Sequence, residues 1–311
     1  MDPRGRAWRA WRANCSVAGV SPSLRGFACA AALAGAGCAA SDASVHASSP
    51  RPGLHWDEGR SRFRPAEYAF TAVVSPLSIG SYFAFPDQPT PHWTGGILFD
   101  DAAREALRVR SNSGLRAVWA MADTTGVLLV ALSVGLDSIV VPLLRGSTDV
   151  AWQLLMMDAE SYTVSSLLAI SLYDTVGRAR PYYDDCNRGD GSVPSIECQG
   201  SSTASFPSGH INEAFTAAGL SCAHHLFQHV YGNRIADDFA CGRDLALATT
   251  EGFLRVMGDR HYMSDVIVGA SMGFLFGFGM PVILHYGKWW KVFPVPIVGP
   301  DRAGVFVGGT F

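Results

Sequence analysis

The stretch SFPSGH (205–210) runs directly into an apolar segment, INEAFTAAGLSCA, and reads as the start of a helix. Proline suits a first helical turn, where its missing N–H would have no partner. The free N–H groups of a helix start point outward and attract an anion. Gly209 lets a ligand approach the backbone closely. Ser208 adds a hydroxyl donor, and His210 adds a group that can carry a proton. An ordinary capped helix start would use the same residues, so other segments must decide.

Two other segments do. YDTVGRARP (173–181) closes an apolar stretch at Arg180 and Pro181, and RVMGDRHYMSD (255–265) closes another. His261 and Asp265 are spaced i, i+4, which places them on one face of a helix. A carboxylate there holds the imidazole in one tautomer and raises its basicity. Arg255 precedes His261 by six residues, from the end of the preceding helix. Two arginines, a serine, a helix-start N–H and two histidines are what phosphoryl transfer through a phosphohistidine requires. One histidine attacks, the other protonates the leaving oxygen, and the guanidiniums neutralise the equatorial oxygens. No carboxylate cluster or Cys/His spacing along the sequence implies an obligatory metal, so no cofactor is expected.

Taken in order, Arg180-Pro181, Pro207-Ser208-Gly209-His210, and Arg255, His261 and Asp265 resemble the signature of the type 2 phosphatidic acid phosphatase family, which includes bacterial acid phosphatases and vanadium haloperoxidases in its wider superfamily. The family pattern is Lys-x6-Arg-Pro, then Pro-Ser-Gly-His, then Ser-Arg-x5-His-x3-Asp, and the resemblance covers roughly 150–285. It implies that His261 is the nucleophile, Asp265 its orienter and His210 the general acid. It also implies that Arg180, Arg255, Ser208 and the Gly209 N–H hold the phosphate. Two positions depart from the pattern. Leu254 stands before Arg255, and Tyr173 stands where the family has lysine. Tyrosine donates a neutral hydrogen bond but no charge. Arg178 is a candidate stand-in for the lysine, although two residues from Arg180 it points elsewhere on a regular helix. The expected activity is a metal-independent phosphatase acting on a phosphomonoester or pyrophosphate, of a lipid or of a small phosphoester. Undecaprenyl pyrophosphate, phosphatidic acid, phosphatidylglycerol phosphate and soluble esters all stay open. The alternatives are a non-catalytic envelope lipoprotein that keeps the fold, and a vanadium-dependent haloperoxidase, against which the missing lysine counts.

Composition agrees with a membrane-associated or deeply buried body. Of 311 residues 48% are hydrophobic and only 16% charged, against a typical charged share of ~25%. The net charge of −3 gives no footprint for nucleic acid. Residues 1–38 read as an export signal, with arginines ahead of GFACAAALAGAGCAAS and Cys38 as a lipidation candidate. That places the chain in the periplasm or cell envelope, lipid-anchored or membrane-embedded. Residues 39–62 read as a polar linker, 63–288 as the helical domain and 289–311 as a tail. Apolar helical stretches at 66–85, 99–109, 115–144, 151–178, 208–230, 241–258 and 266–284 predict an all-α fold, a bundle of about six helices. The 266–284 run is long enough to span a bilayer, and strand-like alternation is confined to AGVFVGGTF in the tail.

Four cysteines remain outside the signal. Cys186 and Cys198 bracket the loop beside the proposed site. Cys222 and Cys241 would lie on antiparallel helices, each roughly 20 Å from the site at ~1.5 Å per residue. A bond between them argues for an exported body, because in the usual membrane members of the family that depth faces the cytoplasm. His225 and His229 are spaced i, i+4 and could bind a metal, but with no third ligand in evidence they read as structural. Asp184 and Asp185 read as solvated loop acids or as shapers of substrate entry. Trp289 and Trp290, flanked by lysines, resemble an interfacial anchor.

Overall fold

The computed structural model describes residues 53–84, 90–188, 196, 198 and 203–287, together with the backbone of 291–299 and 302–310. The chain divides into Met1–Arg51 and Pro52–Phe311, and every described residue lies in the second unit. The export signal, the first part of the linker and the Trp289–Trp290 pair lie outside the described residues.

Eight helices follow one another among the described residues. They are α1 (Pro65–Ala84), α2 (Asp100–Leu107), α3 (Asn112–Leu144), α4 (Thr148–Val176), α5 (Tyr183–Arg188), α6 (Gly209–Ala223), α7 (Arg234–Met257) and α8 (Met263–Tyr286). Six are long, as the sequence predicts. Local signals start them. Pro65 opens α1, Ser111 caps α3 by accepting from the Gly114 N–H at 3.2 Å, and Ser147 caps α4 from Val150 at 3.2 Å. Asn233 caps α7, accepting from Ile235 and Ala236 at 3.0 and 3.2 Å. In the tail, β1 (Lys291–Gly299) pairs antiparallel with β2 (Arg302–Thr310), so the strand-like alternation extends further back than AGVFVGGTF suggested.

α6 and α8 pack at backbone distance. Gly269, Gly273 and Gly277 recur every fourth residue along one face of α8. A Cβ at any of them would collide with the backbone of α6, at Ser208, Asn212 and Thr216 respectively. Gly219 of α6 answers from the other side, where a Cβ would come within 2.7 Å of the Phe278 nitrogen. A stripe of small residues is how apolar helices approach this closely. The stripe lies within the run read only as a membrane-length segment, and its four-residue period was the signal missed.

The expected linker ends early. Leu54 and Trp56 are buried with Phe63, Val150, Leu154, Met157 and Tyr286 in one apolar cluster. Two large side chains spaced to reach the same cluster outweigh the polar residues around them. Several of the bundle's buried charges are paired. Asp137 meets Arg243 at 2.9 Å and the Tyr231 hydroxyl at 2.5 Å, and His225 lies between Asp237 at 2.7 Å and Asp137 at 3.3 Å. His229 faces solvent at the turn that ends α6, so it shares no site with His225 and the structural role holds. Cys186 is bonded to Cys198 and Cys222 to Cys241.

Gly273→Leu is expected to prevent folding, or to lower stability by more than the ~1–3 kcal/mol usual for overpacking, because backbone cannot give way like a side chain. Gly242 has open space around its Cβ position, so Gly242→Ala is expected to stabilise α7 by about 0.5–1 kcal/mol. Thermal unfolding of the two purified variants beside the parent checks both signs.

Candidate active site

The three signature segments meet at one end of the bundle, where α4 ends, α6 begins, α7 ends and α8 begins. The joint is a buried carboxylate. Asp265 is fully buried; its Oδ1 pairs with Arg178 Nη1 at 2.5 Å, and its Oδ2 accepts from Ser205 Oγ at 2.7 Å and the Tyr262 N–H at 2.8 Å. The Ser208 N–H donates to the Asp265 carbonyl at 3.1 Å, which ties the start of α6 to the first turn of α8.

Arg178 therefore does not substitute for the missing lysine. α4 stops at Val176 because Gly177 turns left-handed, with φ at +55°. The chain then runs extended beside Trp93 and Ser205, with Ala179 N–H to Trp93 O at 2.8 Å and Ser205 N–H to Arg178 O at 3.1 Å. Arg180, expected to close a helix, thus lies beyond one. Arg178 turns inward between the rings of Trp93 and Tyr262, at 4.0 and 4.1 Å. It also pairs with Asp100 at 2.8 Å, and Asp100 in turn accepts from the Ser264 N–H and hydroxyl at 2.8 and 2.6 Å. Burial pushes the Asp100 carboxyl up, but bonds from Ile97, Ser264 and Arg178 outweigh it and hold it below its ordinary value.

His261 and Asp265 do not share a helix face. His261 sits in the loop before α8, and Asp265 occupies the third helical position. His261 Nδ1 lies 2.8 Å from the Ser205 carbonyl and 4.0 Å from Asp265 Oδ2. A carbonyl only accepts, so Nδ1 carries the hydrogen and Nε2 keeps its lone pair. Asp265 positions His261 through Ser205, whose hydroxyl it holds. Burial, then the charge of Arg180, hold the His261 pKa well below 6.5. The neutral form of the ring is favoured.

The residues expected to bind phosphate are Ser208, Arg255, Arg180 and the Gly209 N–H. Ser208 stands at the N-cap of α6, yet its hydroxyl makes no cap bond; it is buried and has no partner. Arg255, in the last turn of α7, holds Asp123 at 2.9 Å and Glu251 at 3.1 Å through Nη2, while its buried Nε has no partner. Arg180 donates to the Arg260 carbonyl at 2.9 Å. His210 is open to solvent at the mouth. Crowding by the protein around it, then the charges of Arg255 and Arg180, lower its pKa from 6.5. The Tyr173 hydroxyl lies against Gly209, so closely that a Cβ at 209 would overlap it. The tyrosine does reach the site, as its position in the pattern implied.

The sequence reading missed Arg260 and the network behind it. Arg260 lies over Trp119 at 3.9 Å and, with Arg255 and Arg180, contributes to lowering the His210 pKa. Its neighbour Asp259 is buried in a left-handed conformation, φ +56°, and binds Arg104 at 2.7 and 2.6 Å. Arg104 and Arg108 also reach Asp185, at 2.7 and 3.2 Å. Asp185 is thus an ion-paired strut beside the Cys186–Cys198 bond and not a solvated acid. The charged triplet Asp259-Arg260-His261 was the available signal.

Two outcomes follow. Arg178→Ala leaves Asp100 and Asp265 buried without their cation and is expected to cost about 3–5 kcal/mol, measured as a loss of folded protein in a denaturant titration. Both site histidines have folded pKa values below 6.5, so the unfolded chain binds more protons as pH falls. Their contribution to stability is complete above pH 6.5 and is lost as pH drops through the lowered folded values. The melting temperature is expected to decline below pH 6.5, and His261→Gln is expected to flatten that decline.

Part of the chain is similar to known proteins. Residues 154–289 match the family model described as the PAP2 superfamily. A lipid A 1-phosphatase of Porphyromonas gingivalis is 36% identical over 91 residues, which is 29% of this chain and 19% of that protein. The match therefore spans about a fifth of the relative's length. The crystal structure of a transmembrane PAP2-type phosphatidylglycerolphosphate phosphatase from Bacillus subtilis aligns with 19% identity and a TM-score of 0.41, covering 70% of this chain and 93% of that one. The structure of Aquifex aeolicus LpxE aligns with 20% identity and a TM-score of 0.37, covering 57% and 90%. Over residues 154–289 the chain is similar to the PAP2 superfamily.

Proposed function

We propose that the chain is a lipid phosphatase that works through a phosphohistidine. The observation that carries this reading is a neutral His261 with Nε2 unencumbered, beside a buried Ser208 hydroxyl and a buried Arg255 Nε that have no partner of their own. Buried donors without acceptors are costly, and a phosphate would satisfy them. Arg180, Arg255, Ser208 and the Gly209 N–H bind the equatorial oxygens. His261 Nε2 attacks phosphorus, the bond to the leaving oxygen breaks, and His210 supplies that oxygen's proton. A water then attacks the phosphohistidine, with His210 taking its proton, and phosphate leaves. The reaction draws on no metal. Arg260 supplies the positive charge that Tyr173 lacks.

A lipid substrate is favoured by the surroundings. A cavity of about 380 Å³ lies between α1 and α4, lined by Ile79, Phe83, Tyr162, Ile170 and Glu213. Glu213 and His210 are i, i+3 on one face of α6, so the cavity opens on the side of the general acid. The body sits in a membrane. α3 and α8 are long and apolar enough to cross one, with only 28% of each apolar window buried in the protein. Phe70, Val73, Leu77, Val127, Leu128, Leu144, Leu275 and Ile283 face outward, while Asp137, Arg243, Asp244 and Glu251 face inward. The Cys222–Cys241 bond weighs toward a fully exported, periplasmic body instead, because in the usual membrane members of the family that depth faces the cytoplasm.

The test is phosphate release by the purified chain on phosphatidic acid, phosphatidylglycerol phosphate, undecaprenyl pyrophosphate, lipid A and an aryl phosphate. Release is expected from at least one lipid, with acid-labile phosphate trapped on the parent and absent from His261→Ala. Arg260→Gln is expected to lower kcat/KM by about 10- to 100-fold, the scale of losing one charged contact in the transition state. Ile170→Trp, which fills the cavity, should slow the lipid and spare the aryl phosphate. Equal activity in parent and His261→Ala would leave the chain as a non-catalytic relative.

A further inference from the structure

A second cluster of buried ionisable groups lies at the opposite end of the bundle. It joins Glu67 in the first turn of α1, Glu160 in the middle of α4 and His285 in the last turn of α8. Glu160 precedes the end of α4 by sixteen residues, roughly 24 Å along the helix, so the cluster is remote from His261. One ligand atom from each of the three residues lies within 4.8 Å of the others. All three are buried: His285 is 1% exposed, Glu160 5% and Glu67 8%.

The hydrogen bonds around the cluster leave it incomplete. His285 Nδ1 lies 3.2 Å from the Ser61 carbonyl, which fixes the hydrogen on Nδ1 and the lone pair on Nε2. That Nε2 is buried and has no partner. Among the described residues no donor reaches the Glu160 carboxylate, although it is buried beside a second carboxylate. Glu67 is held by the Arg64 N–H at 2.6 Å and by the Arg64 guanidinium Nε at 2.9 Å. Phe63 stacks on the imidazole with ring centres 5.8 Å apart and covers it. A buried carboxylate with no donor, facing a buried imidazole lone pair with no donor, is a costly arrangement for an apolar bundle. Protonation satisfies one acceptor at most. A cation satisfies all three.

We infer that Glu67, Glu160 and His285 form a binding site for one divalent transition-metal ion, held by two carboxylate oxygens and the His285 Nε2. Imidazole with carboxylates suits Zn²⁺ or a neighbouring first-row ion over Mg²⁺ and Ca²⁺, which prefer oxygen alone. Ligand atoms about 2.1 Å from such an ion lie some 3.4 Å apart, so the cluster closes on it by about an ångström. Ser61 and Arg64 act as outer partners, one fixing the imidazole tautomer and the other the carboxylate. The ion clamps α1 to α4 and α8 and takes no part in chemistry at His261. The three ligands come from distant parts of the sequence, so no spacing announced them, and the inferred site departs from the expectation of no metal.

The test uses the tag-free full chain in detergent, stripped with a strong chelator and titrated with Co²⁺ and then Zn²⁺. One Co²⁺ is expected to bind with a visible ligand-field band that Zn²⁺ displaces, and Zn²⁺ is expected to raise the melting temperature. Glu160→Gln and His285→Gln should each weaken binding by at least about tenfold, the smallest loss seen even for outer partners. Glu160→Gln removes a buried charge at constant shape, so the metal-free variant should fold at least as well as the metal-free parent, with no gain on adding Zn²⁺. Circular dichroism and elution volume confirm that it folds. Absence of saturable Co²⁺ and Zn²⁺ binding to the parent overturns the inference. So does binding that neither substitution changes, which would place the ion elsewhere.

Discussion

The structure depends on two helices touching without side chains between them. Gly269, Gly273 and Gly277 bring α8 against the backbone of α6, and this contact fixes the distance between two segments far apart in the sequence. α6 carries Ser208, Gly209 and His210 at its start, and α8 is entered through His261 and Asp265. Their separation is therefore set by atoms that cannot swing, unlike side-chain packing, which can adjust by changing rotamers. The Ser208 N–H bond to the Asp265 carbonyl, at 3.1 Å, closes the same seam at its catalytic end.

Around that seam the charged groups divide into two kinds. Arg178, Asp100 and Asp265 are buried, mutually paired and fully engaged in holding the loop that carries His261. Burial first, and then the charges of Arg255 and Arg180, lower the pKa values of both His210 and His261, and Arg260 adds to this at His210. A neutral imidazole is the nucleophilic form, so in the proposed reaction the cations that would bind a phosphate also favour its attacker. The same field would oppose a proton on His210. A bound dianion would offset that field, which couples proton uptake to substrate binding.

Much of this was legible because the chemistry sits in short contiguous motifs. The segments that carry Pro-Ser-Gly-His and Arg255 through Asp265 come together at one end of the bundle, and the apolar runs mark the six long helices. What failed was the inference of geometry from spacing. The i, i+4 relation of His261 and Asp265 suggested a shared helix face, but the helix begins only at Met263. Arg178 and Arg180 looked like neighbours on a helix that Gly177 had already ended. Asp185 looked solvated because its partners, Arg104 and Arg108, come from another helix. Leu54 and Trp56 were lost among polar neighbours. For Asp185, Leu54 and Trp56 the deciding partners lay far away in sequence, where periodicity carries no information; at Gly177 and Met263 a local helix boundary decided.

The left-handed break at Gly177 turns the end of a helix into a short extended strap. Within three residues the strap grips both ends of one loop, Arg178 at the Asp265 carboxylate and Arg180 at the Arg260 carbonyl. The nucleophile's loop is therefore tensioned by a clasp and not carried on a helix. The inner jaw is dry and its charges lie in contact, so dissolved ions cannot screen it. The outer cations lie toward the open mouth, where screening acts. Ionic strength should thus separate two properties that most sites mix. Salt would weaken the pull on an incoming phosphate while leaving the aim of His261 unchanged.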